Sequence, residues 1–536
     1  MTTPIPSVLF PALKTRRKLP IGIQTFREIR EDGCYYVDKT AYALDLIQTG
    51  KSYFLSRPRR FGKSLFLDTL KELFEGDRAL FDGLYAADHW DWTRSYPVIR
   101  LSFGGGVLAN AAMLQDSLDG QLLKYEQASG LAQVALSLRR RLVNLIEHLH
   151  QQSGQRVVVL VDEYDKPILD CIEKPEIATE MREALKDIYS VLKDSDAHLK
   201  FVFLTGVSKF SKVSLFSGLN NLTDITLDAR YSAICGYTDE DVDSVFAPEL
   251  PELDRDDIRR WYNGYNWLGT SVYNPFDLLL LFRNRDFRPY WFETGTPTFL
   301  IKMLAERQFY TPDLGHVIAP EKLLSTFDIG NIPVEALMFQ TGYLTIASVW
   351  KVPGQMELTL KYPNLEVQAS LNDSLLQHLS GGLAIPGPRI TNLYRLLLAR
   401  DFAGLKTLFH AFYASIPNDW YRKNELAGFE GYYASIFYSY FAALGLDIRL
   451  EDTTNHGRID MAVLFNSEVW LFEFKVVELT PQGRALQQIK DKGYADKYRV
   501  RNEPIHMIGT EFSKASRNIV GFEVELLDSS APKMSA

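Results

Sequence analysis

The stretch RPRRFGKS at 57–64 combines basic residues with the start of a segment of helical apolar periodicity. In a phosphate-binding loop, backbone N–H groups at a helix N-terminus point at the phosphate, a lysine adds positive charge, and a Ser or Thr hydroxyl holds Mg²⁺. Lys63 and Ser64 fit the last two roles. Arg57, however, stands where the pattern G-x-x-x-x-G-K-[ST] has its first glycine, so a solvated basic turn is the alternative interpretation.

A second pair of candidate residues, Asp162 and Glu163, ends the apolar run RVVVLVDEYD at 156–165. An Asp at a strand end can hold the water shell of Mg²⁺, and the adjacent Glu can orient or activate the attacking water. Acids at a strand end can also cap the next helix, which is the alternative. The two motifs occur in the order of a P-loop ATPase, with an extra strand-like run at 97–103 between them. Together they predict an ATP site of the additional-strand class.

Further residues of the expected ATP site lie at and after the end of the strand-like run at 200–206. Thr205 or Ser208 is expected to sense the γ-phosphate, although a hydroxyl there can equally form a turn. Arg230 is a candidate arginine finger. The expected nucleotide contacts are Arg57, Pro58, Arg59, Arg60, Phe61, Gly62, Lys63, Ser64, Asp162 and Thr205. Ser64 and Asp162 are the expected Mg²⁺ ligands, and Glu163 is the expected catalytic residue.

A third group of candidate residues lies in GRIDMAVLFNSEVWLFEFKVV at 457–477, which has the pattern of a β-hairpin. If Asn466 and Ser467 form the turn, Asp460 lies directly opposite Glu473. Lys475 shares their face because side chains alternate along a strand. The aromatic residues of the second strand then face the core.

Two carboxylates that face each other repel unless a cation lies between them. Mg²⁺ is the expected occupant, with Mn²⁺ as a substitute, and Asp460 and Glu473 are its expected ligands. Lys475 could hold the attacking water or offset charge on a scissile phosphate. The alternative is an exposed hairpin with an ordinary Glu–Lys pair.

The segment that follows the hairpin is basic and suits a nucleic-acid backbone, although it could equally be a solvated face. Its cations are Arg484, Lys490, Lys492, Lys497 and Arg499.

These residues need elements that position them, and the pattern of the chain predicts such elements. Up to about residue 231, strand-like runs alternate with helical stretches, which indicates a parallel α/β sheet. The runs lie at 52–56, 97–103, 156–165, 200–206 and 222–228. Residues 235–388 are mixed and rich in aromatics, and 389–527 are expected to form helix, helix, hairpin, helix and strand.

Composition narrows the class of protein. The chain has 536 residues and a net charge of −8, so a nucleic-acid site must be a local patch and not a global basic field. Three widely spaced cysteines argue against a disulfide scaffold or a zinc site. The N-terminus lacks the pattern of a signal peptide, and a cytoplasmic protein without a membrane partner is expected.

Taken together, the blocks resemble two known families. YVDKT at 36–40, the loop at 57–64, GYT at 236–238, WYNGYN at 261–266 and FQTGYLTI at 339–346 resemble the bacterial AAA-ATPase-like family. The loop of that family has the R-P-R-R-F-G-K-S form, and the resemblance extends over about residues 18–300. It implies an AAA-like ATPase without implying a substrate.

The C-terminal part resembles the PD-(D/E)xK nuclease domain that usually follows this ATPase. This resemblance implies a third acid at Glu430 and a trailing-helix glutamine at Gln487 or Gln488. The expected catalytic set is therefore Glu430, Asp460, Glu473, Lys475 and Gln488.

The predicted fold class is α/β, with a P-loop additional-strand (AAA-like) ATPase core, a helical and mixed middle region, and a C-terminal α/β restriction-endonuclease-like domain. The expected boundaries are an arm at 1–20, the core at 21–234, a helical lid and mixed middle region at 235–388, the nuclease-like domain at 389–527 and a tail at 528–536.

The expected function is an ATP-regulated nuclease that acts on DNA or RNA through its C-terminal domain, with self-association into a homo-oligomer left open. The alternative is an ATP-switched binding or regulatory module on an inactive nuclease fold. It is favoured if Asp460, Glu473 and Lys475 do not converge.

Overall fold

The computed structural model describes most of the chain, in two compact units. The described residues are 16–132, 136–209, 221–292, 300–301, 303–304, 314–324, 329–330, 332–379, 386–415, 430–454 and 457–527. The N-terminal unit comprises Met1–Trp291 and Ile318–Thr359, and the C-terminal unit comprises Phe292–Val317 and Leu360–Ala536. The expected middle region is thus divided between the two units. The expected tail lies outside the described residues.

The N-terminal unit contains a parallel five-stranded sheet. Its strands are β1 (Ser52–Ser56), β2 (Val98–Ser102), β3 (Val157–Asp162), β4 (Leu199–Gly206) and β5 (Thr223–Asp224). They are arranged in the order β2-β3-β4-β1-β5. All residues of β1 and β3 are buried, which fits strands covered on both faces.

The run at 97–103, expected between the two motifs along the chain, forms β2 there, and in the sheet it lies at the edge beside β3. The strand that separates β1 from β3 is β4. Seven of the eight residues of β4 are buried, as suits an inner strand, whereas the edge strand β2 carries the half-buried Arg100 and Ser102. The motif strands β1 and β3 are thus not neighbours, which agrees with the additional-strand class.

Helices cover this sheet and continue into a satellite core. The helices of the N-terminal unit are α1 (Phe26–Glu31), α2 (Thr40–Thr49), α3 (Lys63–Glu75), α4 (Tyr85–His89), α5 (Ala111–Ser129), α6 (Leu138–Ser153), α7 (Lys166–Leu169), α8 (Pro175–Asp194), α9 (Asp239–Ser244), α10 (Arg255–Tyr262), α11 (Pro275–Asn284), α12 (Glu321–Leu324) and α13 (Val334–Thr341). Short 3₁₀ segments lie at Arg78–Phe81, Asp196–His198, Ala229–Tyr231 and Ala247–Glu249. Aromatic residues around α9–α11, including Phe246, Tyr262 and Tyr273, form a buried cluster, as packing residues should.

A three-stranded sheet follows, built from β6 (Val317–Pro320), β7 (Thr345–Val352) and β8 (Gln355–Lys361) in the order β6-β8-β7. The run LMFQTGYLTIASV, which the sequence favours as β structure, begins as the end of α13 and becomes strand only at Thr345. Five residues of this helix in a row are buried, so its apolar run reflects burial and not strand alternation.

The C-terminal unit is built around a mixed five-stranded sheet. Its strands are β9 (Asp447–Thr454), β10 (Gly457–Phe465), β11 (Glu468–Val477), β12 (Ile505–Ser513) and β13 (Asn518–Leu527). The order is β13-β12-β11-β10-β9, and β11 pairs with β12 in parallel while the other pairs are antiparallel. The expected hairpin is present. The sequence missed β9 and the separation of the last strand into β12 and β13, because β9 is largely polar and half exposed.

Both faces of this sheet are covered. Trp470, Phe472 and Phe474 pack into one core cluster with α17, as predicted, and Val469 and Leu471 pack on the other face with α18 and the 3₁₀ segment Tyr494–Arg501. The helices of this unit are α14 (Leu365–Leu379), α15 (Pro386–Ala399), α16 (Phe402–Ser415), α17 (Glu430–Ala443) and α18 (Arg484–Asp491). Within the described parts of both units, no helix is long and apolar enough to cross a membrane.

Candidate functional site

The loop between β1 and α3 has the backbone of an anion site. Gly62, with a left-handed φ of 89°, precedes the first helical residue, Lys63, and no side chain among the described residues caps this helix N-terminus. The first N–H groups of α3 therefore have no partner within the helix and point out of its end. A helix start of this kind attracts negative charge, and phosphate in particular.

Lys63 is buried and folded onto its own loop. Its Nζ atom donates hydrogen bonds of 2.9 Å to the backbone oxygens of Arg57 and Pro58. Burial lowers the pKa of this lysine, and the nearby acids oppose that shift only in part. A phosphate would replace two neutral acceptors with a charged one.

The side chain of Arg57, one of the expected nucleotide contacts, lies in the core. Its side chain is fully buried, and its guanidinium donates to the backbone oxygens of Ser56, Thr226 and Tyr231. The guanidinium carbon also lies 4.1 Å from the ring centre of Trp267. Burial lowers the pKa of Arg57 to about 10. The guanidinium thus anchors the loop in the core, and a nucleotide contact by Arg57 stays a prediction.

The rest of the loop divides into buried and exposed residues. Pro58 and Phe61 are buried, and the Phe61 ring packs edge-on against Tyr265 with centroids 4.7 Å apart. Arg59 and Arg60 are exposed, and Ser64 is half-buried. The nucleotide and Mg²⁺ contacts assigned to these residues stay predictions.

At the carboxyl ends of β3 and β4, Asp162 and Thr205 contribute buried oxygens that lack partners. Asp162 is 3% exposed, its Oδ2 accepts a 3.2 Å hydrogen bond from Arg100, and its Oδ1 has no partner within the described residues. The Thr205 hydroxyl is likewise buried and unpartnered there. Val161 pairs with Leu204 in the ladder, so the next residues, Asp162 and Thr205, end neighbouring strands. Mg²⁺ with its water shell and a phosphate oxygen would satisfy these two atoms, so the residues fit Mg-ATP.

Glu163 follows directly, with an unusual backbone for a glutamate. Its φ is +52°, which turns the chain sharply at the end of β3, and its side chain is half-buried. Burial raises its pKa above the usual value, and the neighbouring Asp162 charge adds to the increase. A carboxylate with a raised pKa is a better proton acceptor, which fits the predicted role toward water.

Two supporting residues were missed by the sequence analysis. Arg100 bridges Asp162 and Asp68 of α3, with the Asp68 contact at 2.7 Å, and so ties the end of β3 to the helix that follows the loop. Asp165 is buried and accepts hydrogen bonds from the backbone N–H of Val207 and from both the N–H and the hydroxyl of Ser208. The Ser208 hydroxyl is therefore engaged with Asp165, and its role toward a γ-phosphate stays a prediction. The third acid in DEYD is the signal that could have indicated Asp165.

Arg230 lies on the surface, where it pairs with Asp228 of its own turn at 2.7 Å. Its role as an arginine finger stays a prediction.

The hairpin of the C-terminal unit has the predicted register. Asn466 and Ser467 both have positive φ, 53° and 58°, as a type I′ turn requires. Phe465 pairs with Glu468, and the ladder continues to the pair Met461–Phe472. The recorded pairing ends there, one position before Asp460 and Glu473, and Asp460 Oδ2 accepts a 2.8 Å hydrogen bond from the backbone N–H of Phe474.

Glu473 is the centre of this second site. It is fully buried, and its Oε1 accepts hydrogen bonds from Lys475 Nζ at 3.2 Å and from Gln488 Nε2. Its Oε2 is buried and has no partner in the described part of the chain. Burial, followed by the charge of Asp460, raises the pKa of Glu473 to about 8. A divalent cation would offset the repulsion and satisfy Oε2, so these residues fit Mg²⁺ or Mn²⁺.

The glutamine of the trailing helix is Gln488, since Gln487 instead donates to Asp491 on the exposed side of α18. Tyr494 was missed by the sequence analysis. It is 2% exposed, hydrogen-bonds Gln488, and lies within electrostatic range of both carboxylates. Gly457 makes room for it, because a Cβ atom there would lie 2.8 Å from the Tyr494 hydroxyl.

Glu430 is the first residue of α17, but its side chain lies outside the described residues. Its predicted role is therefore neither supported nor opposed. Among the side chains that are described, no group of three or more His, Cys, Asp or Glu is arranged to hold a metal ion.

The basic segment divides into two groups. Three cations are paired with acids, at distances between 2.5 and 2.8 Å: Lys490 with Glu525, Lys497 with Asp452 and Arg499 with Asp496. For these the solvated-face interpretation holds in the structure as it stands. Arg484 and Lys492 are exposed and have no acidic partner among the described residues.

Comparisons with known proteins agree with both predicted resemblances. The family model described as a predicted AAA-ATPase matches residues 20–216, a shorter range than the expected 18–300. The PD-(D/E)XK nuclease superfamily model matches residues 428–522. A protein of Azotobacter chroococcum mcd 1, described as an uncharacterised protein in the vnfD 5′ region, is 64% identical over 514 residues, which are 96% of this chain and all of that relative.

Proposed function

The chain belongs to the family of that Azotobacter protein and joins a predicted AAA-ATPase domain to a PD-(D/E)XK nuclease superfamily domain; on this premise we propose that it is an ATP-regulated, metal-dependent nuclease. The observation that carries the nuclease assignment is the convergence of Asp460, Glu473, Lys475 and Gln488, with one buried carboxylate oxygen left for a cation.

In the first site, the proposed role of the chain is to position Mg-ATP at the end of the sheet. The N-terminal N–H groups of α3 and Lys63 bind the phosphates. Asp162, with Ser64, holds Mg²⁺ through the oxygen that Arg100 leaves unpaired. Thr205 contacts the γ-phosphate, and Glu163 orients the attacking water.

In the second site, Asp460 and Glu473 hold a divalent cation that polarises a phosphodiester and its attacking water. Lys475, whose Nζ also donates to the Phe474 backbone oxygen at 2.9 Å, is placed to stabilise negative charge as it develops on the phosphate. Gln488 of α18 orients Glu473 by donating to the same Oε1 atom. The carboxylates and the lysine belong to the hairpin, and the glutamine belongs to the helix packed on it.

The alternative, an inactive nuclease fold that serves an ATP-switched binding module, has weaker support. It requires the three hairpin residues to diverge or to be replaced by residues without metal-binding oxygens. Here Glu473 is fully buried and Asp460 is half-buried beside it, and two close carboxylates cost stability without a compensating ion. That cost favours a functional site over a scaffold.

Incubation with plasmid, single-stranded DNA and RNA, in Mg²⁺ or Mn²⁺ and in EDTA, tests the proposal. Metal-dependent cleavage of at least one substrate is expected from the wild type and not from Asp460→Asn. Full-length protein that binds nucleic acid yet cleaves none of the three in either metal would favour the alternative.

A further inference from the structure

Helix α18 carries two cations in line with the candidate nuclease centre. Arg484, Gln488 and Lys492 are spaced four residues apart, so they lie along one face of the helix. Lys492 directly follows the last helical residue and keeps helical backbone angles, with φ −88° and ψ −4°. Because Gln488 donates to Glu473, this face is the one that meets the carboxylates.

The other cations of the same segment are neutralised locally. Lys490, on the same helix, pairs with Glu525 at 2.6 Å, and Lys497 pairs with Asp452 at 2.5 Å. Arg484 and Lys492, by contrast, are exposed and have no acidic partner in the part of the chain that the structure describes. Among the described cations of this segment, the two without an acidic partner therefore lie on either side of Gln488 along one face of α18.

The backbone of α18 cannot supply this charge in their place. The N–H groups of Gln482, Gly483 and Arg484 at its N-terminus all donate to the buried carboxylate of Glu511, at 2.5, 3.2 and 2.7 Å. An internal acid therefore already occupies the anion site of this helix. Any phosphate near that end must be bound by the Arg484 side chain.

We infer that Arg484 and Lys492 bind backbone phosphates on either side of the phosphodiester held at Glu473, so that the nucleic-acid strand runs along the axis of α18. This inference rests on the proposed nuclease function. Eight residues of helix span about 12 Å. At about 3.4 Å per nucleotide of a duplex strand, that length corresponds to three to four nucleotide steps. Lys475 is already paired with Glu473, so other cations must hold the strand against the two carboxylates.

The test is a binding measurement on full-length protein carrying Asp460→Asn, which separates binding from cleavage. Anisotropy of a fluorescent single strand and of a fluorescent duplex is measured over a range of salt concentrations. The test protein is a double variant with Arg484→Gln and Lys492→Gln. The matched control is a double variant with Lys490→Gln and Lys497→Gln, which also removes two positive charges from the same segment.

For the duplex, the slope of log affinity against log salt should fall in magnitude by about 1.8 in the Arg484/Lys492 double variant, because each phosphate that a cation neutralises adds about 0.9 to the slope. The control pair should keep nearly the wild-type slope, and both doubles should melt at the parental temperature or close to it. Equal slopes in the two double variants would overturn the inference, as would an Asp460→Asn parent that binds neither probe.

Failure of the inference is distinguishable from failure of the proposed function. A wild type that never cleaves, while the Arg484/Lys492 double variant still has a reduced salt slope, would remove the nuclease proposal and leave the phosphate-binding role of the two cations standing. Cleavage by the wild type, together with an unchanged salt slope in the Arg484/Lys492 double variant, would keep the nuclease proposal and remove the phosphate-binding role of the two cations.

Discussion

The loop before α3 and the hairpin β10–β11 each place a lysine near carboxylates of the sheet beside it, but the two lysines are held differently. Lys63 donates to two backbone oxygens of its own loop, and Arg57 of the same loop is locked in the core. Lys475 donates directly to Glu473, which also accepts from Gln488. The first site is organised by backbone and the second by side chains.

This difference determines what each site must give up to bind its ligand. In the loop, a phosphate has only to displace neutral carbonyls from Lys63, and the N–H groups of α3 are already in place. In the hairpin, Glu473 has a pKa raised to about 8, so a cation must displace a proton as well. We therefore expect nucleotide binding to depend weakly on pH and metal binding at the hairpin to depend on it strongly.

The largest expected effect is the loss of nucleic-acid cleavage when Asp460 of the hairpin site is replaced. Asp460→Asn keeps an acceptor for the Phe474 N–H but removes one ligand charge. Nucleic-acid cleavage should fall to about one hundredth of wild type or lower, because loss of even an outer partner of a metal ligand costs about 10–100-fold. Asp447→Asn, an exposed acid on β9, is the control and should cleave normally. A sharp drop in the metal-free melting temperature of Asp460→Asn would show that the residue is structural instead.

In the site at the loop before α3, the Glu163→Gln variant should retain ATP binding and lose ATP hydrolysis. The amide keeps the size of the side chain but cannot accept a proton from water, and removal of general-base catalysis costs about 10²–10⁴-fold. Phosphate release and ATP affinity are measured on the same preparation. Unchanged hydrolysis would withdraw Glu163 from the reaction.

Lys63→Ala should weaken ATP binding by about 10–100-fold, since a hydrogen bond to a charged group contributes about 1.5–3 kcal/mol. Lys71→Ala serves as the control, because Lys71 lies on the same helix and pairs only with Glu72 and Glu75 among the described residues. Calorimetry that gave equal affinities for the two variants would contradict the assignment of the loop.

The smallest expected effect is a pH dependence of folding stability that arises from Glu473 of the hairpin site. The raised pKa of Glu473 means that the folded, metal-free protein holds a proton that the unfolded chain loses, so stability should fall as pH rises from about 4.5 to about 8. Glu473→Gln should flatten this part of the profile, and Mg²⁺ should offset the loss above pH 8. Thermal melts in EDTA and in Mg²⁺ at several pH values measure it. A profile identical in wild type and Glu473→Gln would show that the carboxyl is not perturbed.

The two sites also differ in how far the sequence could predict them. The register of the hairpin followed from counting outward from Asn466–Ser467, because side-chain alternation is strict in a two-strand ladder. The place of β4 between β1 and β3 did not follow, because parallel strands can be ordered in several ways and only burial across the sheet selects one. The burial of the Arg57 side chain did not follow from the sequence for a related reason. Its guanidinium is enclosed by Trp267 and by backbone oxygens, two of which belong to residues about 170 positions away in the chain.

Residues that act through others were also beyond the sequence. Arg100 and Tyr494 belong to no motif, and each becomes relevant only because the fold brings it to Asp162 or to Gln488. Glu511 caps α18 from β12, a contact that joins elements almost thirty residues apart. Such contacts depend on the packing of whole elements and not on local pattern.

We propose that nucleotide at the first site regulates cleavage at the second. The direct test measures cleavage of one labelled substrate in Mg²⁺ by wild type with ATP, with a non-hydrolysable analogue and without nucleotide, alongside Lys63→Ala under the same conditions. The account predicts a rate that changes with nucleotide in the wild type and stays constant in Lys63→Ala, since a ligand shifts an equilibrium only when it binds one state better. Equal rates in all three wild-type conditions would contradict it and leave two independent activities on one chain.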